Sequence, residues 1–119
     1  MSPDNSSSLV EVQDLGEGVV KITLNDPSHQ NTLSEKMIDE LQSTFDDLST
    51  GTSRVLILSS TGKVFSAGHD LKELKAARSH PDQGKEYFQF ILKKCSTLMQ
   101  SIVNHPKPVI AQVEGVATA

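Results

Sequence analysis

The 119-residue sequence predicts an α/β domain, and three stretches predict it. Val19-Val20-Lys21-Ile22-Thr23-Leu24 sets Val20, Ile22 and Leu24 on one face and Lys21 and Thr23 on the other, the period-two pattern of a half-buried strand. Met37, Leu41, Phe45 and Leu48 recur at helical spacing, the stripe of an amphipathic helix. Val55-Leu56-Ile57-Leu58 is apolar without alternation and bounded by turn residues. A short run of that kind reads as a strand covered on both faces, as in a parallel sheet under helices.

The elements follow in order. Leu9-Val10-Glu11-Val12-Gln13 reads as a short strand, and Leu15-Gly16-Glu17-Gly18 as the turn that pairs it with 19–24 in a hairpin. Asn25-Asp26-Pro27-Ser28 ends the second strand with turn chemistry. A helix is expected over 32–48, with Thr32 and Glu35 forming a capping box. Its acidic residues lie mostly off the apolar stripe. No His or Cys joins them, so they read as a solvated face and not a metal site. Ser49-Thr50-Gly51-Thr52-Ser53 closes the helix, and the buried strand 55–58 follows. Ser60-Thr61-Gly62 then turns the chain into a loop, and Asp70 opens a short helix carrying Leu71 and Leu74. Pro81 is expected to restart a long helix, capped by Ser79 or His80. Phe88, Ile91, Leu92, Cys95, Leu98, Met99, Ile102 and Val103 recur there at three and four. Cys95 lies in that stripe, which makes it a buried structural thiol and not a nucleophile. His105-Pro106-Lys107-Pro108 stops the helix, 109–113 is a strand, and Glu114-Gly115 turns out of it. No internal repeat is strong enough to mark a solenoid.

Composition limits the functions. The length is enough for one small domain, and hydrophobic residues make up 36% of the chain, below the usual globular share. The net charge of −4 argues against a nucleic-acid surface or an anionic membrane partner. No apolar run approaches the roughly 18 residues of a membrane span. A single cysteine excludes an internal disulfide and fits a reducing compartment. Residues 1–8 lack both an apolar core and arginine, so they read as a short disordered tail and neither a secretory signal nor an import peptide. His29, His80 and His105 fall in turns or at helix ends and read as surface residues.

The stretch with the most chemistry is Lys63-Val64-Phe65-Ser66-Ala67-Gly68-His69-Asp70-Leu71-Lys72-Glu73-Leu74. A buried strand, a loop of small residues and a helix start make a natural anion site. N–H groups at a helix start are unpaired, and small residues let a ligand approach the backbone. The plainer reading is an ordinary strand-to-helix connection.

Phe65-Ser66-Ala67-Gly68-His69-Asp70-Leu71 with Lys72-Glu73-Leu74 resembles the signature of the crotonase superfamily, the enoyl-CoA hydratase/isomerase family. Three further segments agree in order and spacing: Asn25-Asp26-Pro27 with Asn31-Thr32-Leu33, Arg54-Val55-Leu56-Ile57-Leu58-Ser59, and Pro106-Lys107-Pro108-Val109-Ile110-Ala111 with Glu114-Gly115-Val116-Ala117-Thr118-Ala119. Each alone is weak; the combination, running from about Leu9 to the last residue, is specific.

The resemblance implies a crotonase-like spiral of ββα units, of which residues 9–119 would be the N-terminal part, ending near the middle of the domain. It implies acyl-CoA thioester substrates in fatty-acid metabolism, with no separate cofactor, because CoA is part of the substrate, and no metal. Two backbone N–H groups hold the thioester oxygen as it becomes an enolate. One belongs to the position His69 occupies, so the His69 main chain is the expected catalytic donor. Ala67 and Gly68 are expected to bind substrate, Ala67 through its carbonyl, and Asp70 to cap the next helix. An imidazole at position 69 departs from the family's usual small or aliphatic residue; it would line the acyl pocket or point to solvent. The second donor belongs just after the position of Ala119, and the hydratases' catalytic carboxylates come later, so the 119 residues alone are expected not to hydrate a substrate. The resemblance also implies a homotrimer or hexamer and a mitochondrial setting, with the cytosol as alternative. A non-catalytic acyl-CoA-binding or interaction module, another crotonase reaction such as isomerisation or thioester hydrolysis, and an unrelated acidic α/β domain are the competing readings.

Overall fold

Val20, Ile22 and Leu24 turn one face of a strand inward, and a sheet assembles around that strand. The structure, a computed structural model, describes residues 8–118. Its elements are β1 (Val10–Gly16), β2 (Val19–Leu24), α1 (Glu35–Asp47), β3 (Val55–Ser60), β4 (Val64–Ser66), α2 (Leu71–Ala77), α3 (Lys85–Val103), β5 (Val109–Ala111) and β6 (Val116–Ala117). Two strands followed by helix thus occur twice, and a third strand pair follows. The first strands of the units, β1, β3 and β5, join β2 in one sheet of order β1-β2-β3-β5, while the remaining second strands, β4 and β6, pair in another. β1 and β2 are the antiparallel hairpin expected; β2–β3, β3–β5 and β4–β6 are parallel.

The core lies between the four-stranded sheet and the helices. Met37, Ile38, Leu41 and Phe45 of α1 are buried against Val20, Ile22, Leu24 and Leu56, with Ile91 and Leu98 from α3. Each such side chain contributes about 1.5–3 kcal/mol relative to exposure. β3 sits centrally, but only Leu56 and Ser59 on it are fully buried, so cover on both faces is partial among the described residues.

Several expectations are corrected. The expected tail 1–8 lies outside the described residues except for Ser8, whose hydroxyl donates to Val10 C=O at 2.9 Å. The capping box at Thr32 does not form: α1 starts at Glu35, and Ser34 is the cap, its Oγ accepting from Met37 N at 3.1 Å. Pro81 does not begin the long helix, because Gln83 at φ +62° and Gly84 at φ +88° interrupt the chain. The Asp82 carboxylate accepts from Gly84 N and Glu86 N instead of Ser79 or His80 acting as cap. The α3 stripe is not all core: Leu92 and Val103 are exposed, and Cys95 is half-buried. His105 is not a simple surface residue. Its Nε2 lies 2.9 Å from Phe45 C=O and its ring packs edge-on against Phe45. β4 and β6 were not expected as strands, and β5 is shorter than the strand expected over 109–113.

Candidate functional site

The candidate loop leaves the sheet at the end of β3, passes through β4 and enters α2. Asp70 caps α2 as expected, its Oδ1 accepting from Lys72 N at 2.9 Å and Glu73 N at 3.4 Å. Gly68 sits at φ +84°, a backbone conformation that glycine adopts without the steric cost a Cβ brings.

The three amides in this turn differ. Ala67 N donates to Gln30 C=O at 3.0 Å, and Gly68 N to Ser66 Oγ at 3.1 Å. His69 lies in an isolated parallel bridge with Leu33, and that bridge uses the Gly68 carbonyl, which accepts from Leu33 N at 2.7 Å. Among the described residues nothing accepts from the His69 N–H or donates to the Ala67 C=O. Both residues line an open hollow of about 400 Å³, walled also by His29, Thr32, Asp70 and Lys72. A larger hollow, about 850 Å³, lies at the other end of the sheet beside Gly18 and Arg54 and contains none of the candidate residues. The unpaired main-chain groups, not size, single out the smaller one.

Two side chains at the hollow carry buried polar atoms without a partner among the described residues, Thr32 Oγ1 and His69 Nδ1. The imidazole therefore neither points wholly to solvent nor pairs with a carboxylate. No group of three His, Cys, Asp or Glu side chains that could hold a metal ion occurs among the described residues. His29 Nδ1 lies 2.8 Å from Asp26 Oδ1 at the rim.

Asn31 is the residue whose part the sequence reading missed. It is fully buried at φ +51°. Its Oδ1 accepts from Asp26 N at 2.7 Å, and its Nδ2 donates to Thr61 C=O and Val64 C=O, both at 2.9 Å. Its own carbonyl accepts from Ser66 Oγ at 2.8 Å, and Ser66 Oγ in turn accepts from Gly68 N. One amide side chain thus joins the 26–33 loop to the 61–68 loop and holds the turn bearing His69. Its only local signal is an Asn in a turn-rich stretch after Pro27.

Comparisons with known proteins bear on the family and the fold. A family model described as enoyl-CoA hydratase/isomerase matches residues 14–119. Human enoyl-CoA hydratase domain-containing protein 3, mitochondrial, is 42% identical over 104 residues, which are 87% of this chain and 33% of that protein. The crystal structure of human enoyl coenzyme A hydratase domain-containing protein 3 superposes with a TM-score of 0.79 at 40% identity, covering 91% of this chain and 41% of that one. An enoyl-CoA hydratase of Mycobacterium smegmatis gives 0.80 at 38% identity, covering 89% and 40%. The chain spans about a third of the length of that human relative. The fold is accordingly the mixed α/β crotonase fold, over about 40% of the neighbours' length. The chain belongs to the enoyl-CoA hydratase/isomerase family, the crotonase superfamily.

Proposed function

We propose that these residues form one side of an acyl-CoA thioester site. The His69 N–H donates to the thioester oxygen as negative charge develops on it, Ala67 C=O accepts from the CoA moiety, and Gly68 keeps the approach clear. The carrying observation is the contrast among three consecutive amides: two are used inside the fold, and the third lacks an acceptor beside a hollow. A preorganised donor aimed at developing charge contributes about 3–4 kcal/mol in a water-excluded site. The setting we propose is fatty-acid metabolism, and the compartment the mitochondrion, which the name of the human relative carries. A homotrimer or hexamer is the assembly we expect for the family.

Enolate stabilisation needs more than one donor, and hydration needs carboxylates to move protons. Among the described residues lining the hollow the one carboxylate is Asp70, and it is engaged in capping α2. That observation favours a second reading for a polypeptide of these 119 residues, acyl-CoA binding without turnover. Calorimetry with butanoyl-CoA and with CoA, alongside a crotonyl-CoA hydration assay, tests both. We expect tighter binding of the thioester than of CoA, and no hydration. Equal affinity for the two would overturn the role of the His69 amide; sustained hydration would overturn the one-sided site.

A further inference from the structure

The segment bearing the unpaired amide is tied at two points. Immediately before His69, Gly68 C=O accepts from Leu33 N at 2.7 Å. Four residues after it, Glu73 Oε1 accepts from Glu35 N at 2.9 Å. The two donors sit two residues apart where the chain enters α1, so they grip the His69 turn from both sides. We infer that Glu73 is a positioning residue: its carboxylate fixes the first turn of α2 against α1 and thereby fixes the direction of the His69 N–H. The inference rests on the thioester role proposed above for that amide.

Packing holds the first turn of α2 through one side chain, Leu74, half-buried against the core. Leu71 is 74% exposed, and Ala77 at the far end is the one fully buried residue of the helix. The Asp70 hydrogen bonds stay within α2, its Oδ1 accepting from Lys72 N and Glu73 N. Glu73 is the side chain that crosses to α1. The N–H it meets is among the donors a helix start leaves unpaired, and a carboxylate there also complements the dipole of the 13-residue α1. α3 closes the cluster. Lys94 Nζ lies 2.6 Å from Asp39 Oδ1 and 3.6 Å from Glu35 Oε2, balancing the negative charge. Burial, followed by the charges of Glu73 and Glu35, pushes the Tyr87 phenol up to about 12. A donor displaced by about 1 Å loses much of its effect on charge, so a tie this close to His69 matters.

The test is the infrared band of a thioester carbonyl, isotope-labelled in butanoyl-CoA, bound to wild type, Glu73→Gln and Glu73→Ala, with affinities for butanoyl-CoA and CoA measured on each. In wild type the band should fall below its frequency in free butanoyl-CoA. Glu73→Gln should keep that fall, because the amide oxygen still accepts from Glu35 N–H. Glu73→Ala should move the band back toward the free value and cut the preference for butanoyl-CoA over CoA by about tenfold, the size of one lost charge-assisted hydrogen bond. A role confined to stability would lower the melting temperature of Glu73→Ala without moving the band, and that result would overturn the inference. Gln and Ala behaving alike would overturn it as well. Should Glu73→Ala not fold, Glu73→Asp, one methylene shorter, should give a band between the wild-type and free values; a wild-type band in that variant would count against the inference. Wild type that binds butanoyl-CoA with no band shift removes the amide role itself and the inference with it.

Discussion

Replacing Asn31 separates the hydrogen bonds of its side chain from the backbone it occupies. Asn31→Ala removes three bonds, from Asp26 N and to Thr61 C=O and Val64 C=O, in a fully buried position. At about 0.5–1.5 kcal/mol net for each, with some groups left unpaired, the loss is about 2–4 kcal/mol. Alanine also has to hold φ +51°, which adds about 1 kcal/mol. Asn31→Gly loses the same bonds without that strain. Equilibrium urea unfolding should therefore place Gly about 1 kcal/mol above Ala and both well below wild type, a large share of a domain's usual 5–15 kcal/mol. Asn31→Asp keeps the bond from Asp26 N but turns a carboxylate toward two carbonyl oxygens, and should cost at least about 3 kcal/mol. A loss under about 1 kcal/mol for Asn31→Ala, or Gly falling below Ala, would refute the part assigned to this side chain.

Gly68→Ala should destabilise by about 1–2 kcal/mol, read from the urea midpoint, because φ +84° is strained for any side chain; an unchanged midpoint contradicts this. Tyr87 is the single tyrosine, so phenolate absorbance reports it alone. Its ionisation should centre near 12 in the folded chain and near 10 in urea, the first cause being burial. The folded state then holds the proton more tightly than the unfolded one. The stability this brings is complete below pH 10 and is lost as pH rises toward 12, a loss that Tyr87→Phe should abolish. Burial likewise raises the Cys95 thiol above its ordinary range, so iodoacetamide should label it more slowly in the native chain than in urea at the same pH; equal rates would argue against this.

The readable parts of the sequence were those set by short-range chemistry. The alternation of β2, the α1 stripe and the Asp70 cap each depend on residues within a turn or two, and each is found where the pattern puts it. What the pattern missed depends on distant partners. Thr32 and Glu35 have capping-box spacing, but Asn31 turns back at φ +51° and the Leu33–His69 bridge keeps the next residues extended, so Ser34 takes the cap. β4 and β6 are three and two residues long, too short to show a period, and exist because Val64 pairs with Val116 and Ser66 with Ala117. His105 finds Phe45 across 60 positions, and Asn31 finds Val64 across 33. At the site, the motif pointed to the His69 amide and the small residues around it. It carried no sign of the Asn31 and Glu73 ties, which only the meeting of two loops creates.

The role of His69 turns on one resonance. In a nitrogen-labelled sample titrated with butanoyl-CoA, the His69 amide proton should move downfield and saturate with the binding curve. The Ala67 and Gly68 amides, already bonded to Gln30 C=O and Ser66 Oγ, should move much less. Bound ligand with a stationary His69 signal, or with Ala67 and Gly68 shifting in its place, would contradict the proposed donor.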